Sequence, residues 1–155
     1  MDPHYYEVNI AWSQDRKGMM CSPELNAVTP SAGCIEVATP PEFPKGIPGI
    51  WSPEHLFTAA VSSCLMTTFL AIAENSKLEF ISFACDSKGI LDKVDGKFAM
   101  SEVVLEPSVT IANEKDRERA ERVLQKSEAA CLITNSIKSK VTMRPVIKVL
   151  SEIEH

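Results

Sequence analysis

The sequence predicts an α+β fold in which antiparallel sheets pack around a long buried central helix. Three observations carry this expectation. Apolar and polar residues alternate near the N-terminus, an uncharged run from Leu56 to Ala73 follows a helix-start signal, and two β-rich segments flank a short turn beyond it. With 155 residues and 45% apolar content, the chain is expected to form one domain, residues 1–155, with a sizeable core.

The elements follow in chain order. Tyr6-Glu7-Val8-Asn9-Ile10-Ala11-Trp12 alternates as a half-buried strand does, and Cys34-Ile35-Glu36-Val37 is a shorter version, so an N-terminal antiparallel sheet is expected. The Pro/Gly-rich stretch from Thr39 to Ser52 can hold neither a helix nor a central strand, because prolines remove donors and glycines raise the entropy of ordering. It ends at Ser52-Pro53-Glu54, which supplies an N-cap, a proline suited to the first helical position and a negative charge where the helix dipole favours one. The helix that starts there is expected to run to about Asn75. Its middle is apolar or small on every face, so it needs protein all around it. A domain of this size can scarcely surround it alone, and a homodimer is expected, a sheet covering one face and a second copy much of the other. Thr58, Ser62, Ser63, Thr67 and Thr68 inside the run, with no basic flanks or aromatic belt, argue for a buried helix rather than a membrane span.

Beyond the helix, Leu78 to Leu91 and Lys97 to Ile111 read as a hairpin joined through Asp92-Lys93-Val94-Asp95-Gly96. Asn113 to Leu124 mixes charges at helical spacing behind a cap residue, and a second helical piece, about Ser127 to Lys138, carries Cys131. Val141 to Leu150 closes the chain as a strand that Pro145 confines to an edge or a bulge.

Charge and cysteine usage bound the function. Lys and Arg number 16 against 21 Asp and Glu, a net −5, so no basic field attracts nucleic acid or an anionic bilayer, and neither is an expected partner. The first residues lack a basic stretch followed by an apolar core, so the expected location is the cytoplasm. Five cysteines, an odd number widely spread, do not suggest a secreted disulfide framework, and reduced thiols are expected.

Elimination narrows the chemistry. His4, His55 and His155 are scattered and no Cys-x-x-Cys occurs, so no metal site is expected. Glycine-rich phosphate cradles and a Gly-x-Ser-x-Gly elbow are absent from the sequence, and no bound cofactor is expected. What remains is sulfur. Cys64 lies mid-helix in Ala60-Val61-Ser62-Ser63-Cys64-Leu65-Met66, where a thiol is either a small buried hydrophobe or, with a charge nearby, a nucleophile. Cys85, on an expected strand, reads as core, and Cys21 and Cys34 as incidental.

Ser52-Pro53-Glu54-His55-Leu56 through Cys64, together with Cys131-Leu132-Ile133-Thr134-Asn135-Ser136, resembles the OsmC/Ohr family of thiol peroxidases. The likeness rests on a Pro-Glu-x-Leu helix start, a cysteine ten residues after the glutamate and a second cysteine on a later helix, and it extends over nearly the whole chain. It implies an intertwined homodimer that reduces organic hydroperoxides in oxidative-stress defence, with Cys64 peroxidatic and Cys131 resolving. It further implies that Arg16, in Arg16-Lys17-Gly18, activates Cys64 and that Glu54 orients Arg16, with a cellular dithiol as reductant. Ten residues at ~1.5 Å each separate Glu54 from Cys64 by roughly 15 Å along one helix. The site then requires either that the first helical turn unwind or that a second subunit contribute. Members with peroxidase activity generally place proline after the second cysteine; this chain has Leu132, and Glu128-Ala129-Ala130 is expected to continue helically into Cys131. A binding module with the same fold and inert thiols, and a thiol sensor that does not turn over, are the alternative readings.

Overall fold

The computed structural model describes residues 1–153, so His155 lies outside the described residues. The chain forms two compact units, Met1–Leu56 and the part from Phe57 onward.

The first unit is built on a three-stranded antiparallel sheet in the order β1 (Asn9–Gln14), β2 (Lys17–Cys21), β3 (Cys34–Ala38), with a short helix α1 (Pro23–Val28) between β2 and β3. The expected N-terminal strand is present but starts later and runs to Gln14. β2 carries no alternation that would have flagged it. Asp15 and Arg16 form the β1–β2 turn, Asp15 at φ +49°, and the register shifts between Trp12 and Gln14. Gly18 allows this tight return, because a Cβ there would stand 2.5 Å from the Ala11 carbonyl oxygen. The Pro/Gly-rich stretch folds back on the sheet: the Thr39 amide donates to the Arg16 carbonyl (3.0 Å), Ile47 to Thr39 (2.9 Å) and Ala38 to Trp51 (2.9 Å).

One expectation is corrected here. Cys21 and Cys34 are not reduced, incidental thiols but a disulfide, since the β2–β3 register sets them directly opposite one another. Their separation of 13 residues in sequence hides a contact that only strand pairing creates.

Helix α2 (Pro53–Asn75) begins where the sequence places it. The buried Ser52 accepts from the His55 amide through Oγ (3.1 Å) and shares a 2.6 Å hydrogen bond with His55 Nδ1, while its carbonyl accepts from Leu56 (2.9 Å). The helix turns Val61, Cys64, Leu65, Phe69 and Ala73 inward, but leaves Met66 39% and Leu70 42% exposed in the single chain. Its length and composition would suffice to cross a membrane. Inside the run, Ser62, Ser63 and Thr67 return their hydroxyls to helix carbonyls three residues earlier.

The second unit pairs β4 (Ser82–Val94) with β5 (Lys97–Ile111) in a long antiparallel hairpin. Its turn residues Asp95 and Gly96 both take positive φ, +52° and +81°, as a two-residue hairpin turn requires. The expected C-terminal strand is broken by Arg144-Pro145 into β6 (Lys140–Met143) and β7 (Val146–Val149). Both run parallel to β5, so this sheet is mixed rather than purely antiparallel. Proline cannot donate to the ladder, and the Arg144 amide instead reaches the Leu105 carbonyl at 2.8 Å. Phe69, Val109, Ile111, Leu124 and Val149 form one part of the core and Val61, Leu65, Val103 and Leu105 the other. Gly89 on β4 lets α2 approach closely, as a Cβ there would stand 2.0 Å from Thr58 Oγ1.

Helix α3 (Arg117–Ala130) follows a single 3-10 turn at Glu114–Asp116 and buries Ala120, Val123, Leu124 and Ser127. It stops at Ala130. Cys131 is the C-cap in extended backbone (φ −65°, ψ 108°), so the helical piece expected over Ser127 to Lys138 does not carry through the cysteine. Only a 3-10 turn, Thr134–Ser136, follows it, and a short helix α4 (Leu150–Ile153) ends the described chain.

Candidate active site

Cys64 sits on the buried face of α2 next to Leu65, and Cys131, 1% exposed, sits at the end of α3. Each thiol perturbs the ionisation of the other, and both are free. The pair joins positions 67 residues apart in sequence, 64 and 131. The turn after Cys131 is tied down locally. Asn135 donates its amide to the Cys131 carbonyl (3.0 Å) and its Nδ2 to the Ala129 carbonyl (3.1 Å), while the Ser136 hydroxyl donates to the Leu132 carbonyl (2.7 Å). Ile133 and Ile137 pack on the Val61–Leu65 part of the core, which sets this turn against α2.

The surroundings separate the two thiols chemically. Burial alone would raise the Cys64 pKa, but the Ile133 amide, the Cys131 thiol, the Thr68 hydroxyl and the Leu132 amide all favour the thiolate, and the net shift is downward. The Thr68 hydroxyl lies 3.9 Å from Cys64 Sγ. Cys131 moves the opposite way: burial raises it, the Thr134 hydroxyl and amide oppose that, and the hydrogen bond to and charge of Cys64 push it higher still. Of the two, Cys64 ionises the more readily and Cys131 keeps its proton to higher pH. Cys85 is a half-buried thiol on β4, raised by burial and hydrogen-bonded to Ser87 Oγ at 3.6 Å.

The other two expected site residues lie in the first unit. Arg16, exposed at the β1–β2 turn, and Glu54, half-buried in the first turn of α2, line one open groove of about 730 Å³ together with Ile10, Trp12, Val37 and Phe43. Glu54 Oε2 is shielded from solvent. α2 is continuous from Pro53 to Asn75, so its first turn does not unwind to bring Glu54 back toward Cys64. Among the described residues no group of three His, Cys, Asp or Glu is arranged to hold a metal ion.

Sequence reasoning did not find the Leu132 and Ile133 amides, Thr68 or Thr134. Backbone donors leave no mark in residue type. The one available signal was the residue at 132, since leucine keeps an N–H that proline would lack.

Residues 46–145 match the family model described as OsmC-like protein. The uncharacterized protein YmaD of Bacillus subtilis is 24% identical over 93% of either chain. An OsmC-like protein of unknown function from Vibrio cholerae superposes with a TM-score of 0.81 at 22% identity, over 93% of this chain and 100% of that one. The organic hydroperoxide resistance protein OhrB of Bacillus subtilis superposes with a TM-score of 0.67 at 18% identity, over 94% and 98%. At these identities the solved structures share the fold, and the family match spans well over half of the sequence. The protein therefore belongs to the OsmC-like family.

Proposed function

We propose that this protein is a cysteine-based hydroperoxide reductase. The observation that carries the reading is a pair of free, buried thiols that shift one another's ionisation in opposite directions, Cys64 downward and Cys131 upward. The names of structural neighbours from Bacillus subtilis and Elizabethkingia anophelis, both organic hydroperoxide resistance proteins, support it.

In the first step the Cys64 thiolate attacks the terminal oxygen of the hydroperoxide. An S–O bond forms and the O–O bond breaks; sulfur is oxidised, the peroxide is reduced, and the departing alkoxide takes up a proton to leave as alcohol. In the second step Cys131 attacks the Cys64 sulfenic acid, an S–S bond forms and water leaves. A cellular dithiol then exchanges with this disulfide and returns both thiols. Arg16, oriented by Glu54, stabilises the negative charge on the leaving oxygen. Because α2 does not bend Glu54 back toward Cys64, the complete site uses two copies of the chain: the Arg16–Glu54 groove of one serves the thiol pair of the other, and the exposed Met66–Leu70 face of α2 becomes covered. Phe43, Trp12 and Ile10 in the groove suit an organic substituent on the peroxide.

The test is peroxide consumption coupled to a dithiol, run with cumene hydroperoxide and hydrogen peroxide. Wild type turns over; Cys131→Ser consumes about one equivalent per subunit and stops. A wild-type rate no higher than that of Cys64→Ser ends the proposal.

A further inference from the structure

The second unit contains a smaller cavity, about 130 Å³, where the chain leaves α2 and passes beside α3; Ser76, Arg119, Arg122, Val123 and Lys126 line it. Its wall is chemically one-sided. Arg119, Arg122 and Lys126 follow one another at three and four residues on α3, so they share a helix face and repel each other. Among the described residues no carboxylate lines the cavity, and none of the three cations forms an ion pair. Arg117, earlier on the same helix, is by contrast held by Glu114 through bonds of 2.6 and 3.1 Å. Arg119 Nη1 donates to the Lys77 carbonyl at 3.2 Å, which fixes the guanidinium with one of its five N–H donors. Ser76 is held at the cavity by the closing turn of α2, its amide donating to the Ile72 carbonyl (2.8 Å) and that of Leu78 to Ala73 (2.9 Å).

We propose that this cavity binds a small, doubly charged oxyanion of the phosphate type, either the free ion or the phosphate group of a small monoester. Three cations gathered without an acid repel one another, and a dianion among them turns that repulsion into attraction. Each arginine presents a planar fork that matches two phosphate oxygens, Lys126 adds a point charge, and the Ser76 hydroxyl supplies a further donor. Volume sets the size of the ligand. Sites for whole drug-sized molecules begin near ~300 Å³, so this cavity takes one phosphate group and leaves any organic part outside. The net charge of −5 repels long polyanions, which selects a small anion over nucleic acid. A bound ion would tie the end of α2, the helix of Cys64, to α3, the helix that leads into Cys131. The site is separate from the thiol pair and from the Arg16–Glu54 groove, and it stands whether or not the protein reduces peroxides.

The experiment is a titration of the full chain followed through its amide proton and nitrogen shifts, with sodium phosphate, glycerol phosphate and sodium chloride at equal ionic strength near neutral pH. Phosphate is expected to produce saturating shifts at Ser76, Lys77 and residues 119–126, and chloride is not. Arg122→Gln is expected to weaken phosphate binding by about ten-fold or more, as loss of a hydrogen bond to a charged group does. Arg122→Lys, which keeps the charge and loses the fork, is expected to weaken it by about three-fold. Arg122 is exposed, so neither replacement disturbs the core, and unchanged shifts elsewhere in the spectrum show that each variant is folded. Tighter binding of glycerol phosphate than of inorganic phosphate supports the site and assigns it to a monoester; the reverse order supports it and assigns it to the free ion. Shifts that chloride reproduces overturn the inference, as does a phosphate affinity that Arg122→Gln leaves unchanged or a response confined to the Arg16–Glu54 groove.

Discussion

The molecule holds two cysteine pairs, and they differ in the kind of structure that brings them together. Cys21 and Cys34 stand opposite each other on neighbouring strands, half-buried, and are covalently joined. Cys64 and Cys131 come from the middle of one helix and the end of another, stay reduced, and lie in environments that move their ionisation in opposite directions. Strand pairing places two equivalent thiols side by side and produces a cross-link. The helix-and-turn arrangement makes the two sulfurs unequal, and inequality is what a nucleophile and its resolving partner require. Proximity alone therefore does not mark a reactive pair; the donors around each sulfur do.

The sharpest way to break this comparison is to remove one sulfur from each pair. Cys64→Ser is expected to lower peroxide turnover on the order of 10³-fold or more, as loss of a nucleophile does. Cys21→Ser with Cys34→Ser is expected to leave it within about two-fold, because that pair lies outside the proposed reaction. A comparable loss in both would mean that the strand pair takes part in the redox cycle. The same double variant has its effect on stability instead. A cross-link spanning 13 residues constrains the unfolded chain, and its removal is expected to cost about 2–3 kcal/mol in urea unfolding under non-oxidising conditions. Reductant added to the wild type should reproduce that loss, and a wild type insensitive to reductant would show that the strand pair contributes nothing to stability.

Inequality of the thiols can be measured directly through pH. A lowered pKa means that thiolate persists as pH falls, and is lost only when pH drops through the lowered value; a raised pKa means that thiolate appears only at higher pH. Cys64 should therefore label first, with a midpoint below the ordinary thiol value, and Cys85 and Cys131 later, with midpoints above it. Labelling of Cys85 ahead of Cys64 at neutral pH would contradict the assignment of donors.

How much of this was legible in the sequence depends on whether the cause is local. The start of α2 can be read from Ser52-Pro53-Glu54 because a cap is a contact within three residues, and the hydroxyl–amide bond from Ser52 to His55 is that contact. The hairpin could be read because Asp95-Gly96 must take positive φ. β2 could not, since Lys17-Gly18-Met19-Met20-Cys21 does not alternate and its strand conformation is imposed by β1 and β3 on either side. The Cys21–Cys34 disulfide depends on register, which no local pattern states. At the site, Cys64 and Cys131 could be named from sequence because thiols are rare and their chemistry is distinctive. The end of α3 at Ala130 could not, because alanine, glutamate and cysteine all tolerate a helix, and the core packing of Ile133 just beyond it is a tertiary contact that no local pattern states.

The smallest expected effect separates the two hydroxyls that attend the pair. Thr68 reaches Cys64 Sγ at 3.9 Å, a long contact even for sulfur, and Thr68→Val should slow neutral-pH labelling of Cys64 only about two- to three-fold, near the lower end of what one hydrogen bond contributes. Thr134 acts on Cys131, where its hydroxyl opposes the upward shift. Removing it makes Cys131 a still weaker acid and leaves it protonated, the state that places no added charge beside Cys64. Thr134→Val should therefore leave Cys64 labelling unchanged while moving Cys131 labelling to higher pH. If instead Thr134→Val slowed Cys64 and Thr68→Val did not, the charge would reside on the sulfur of the turn rather than on that of the helix, and the roles of nucleophile and resolving thiol would have to be exchanged.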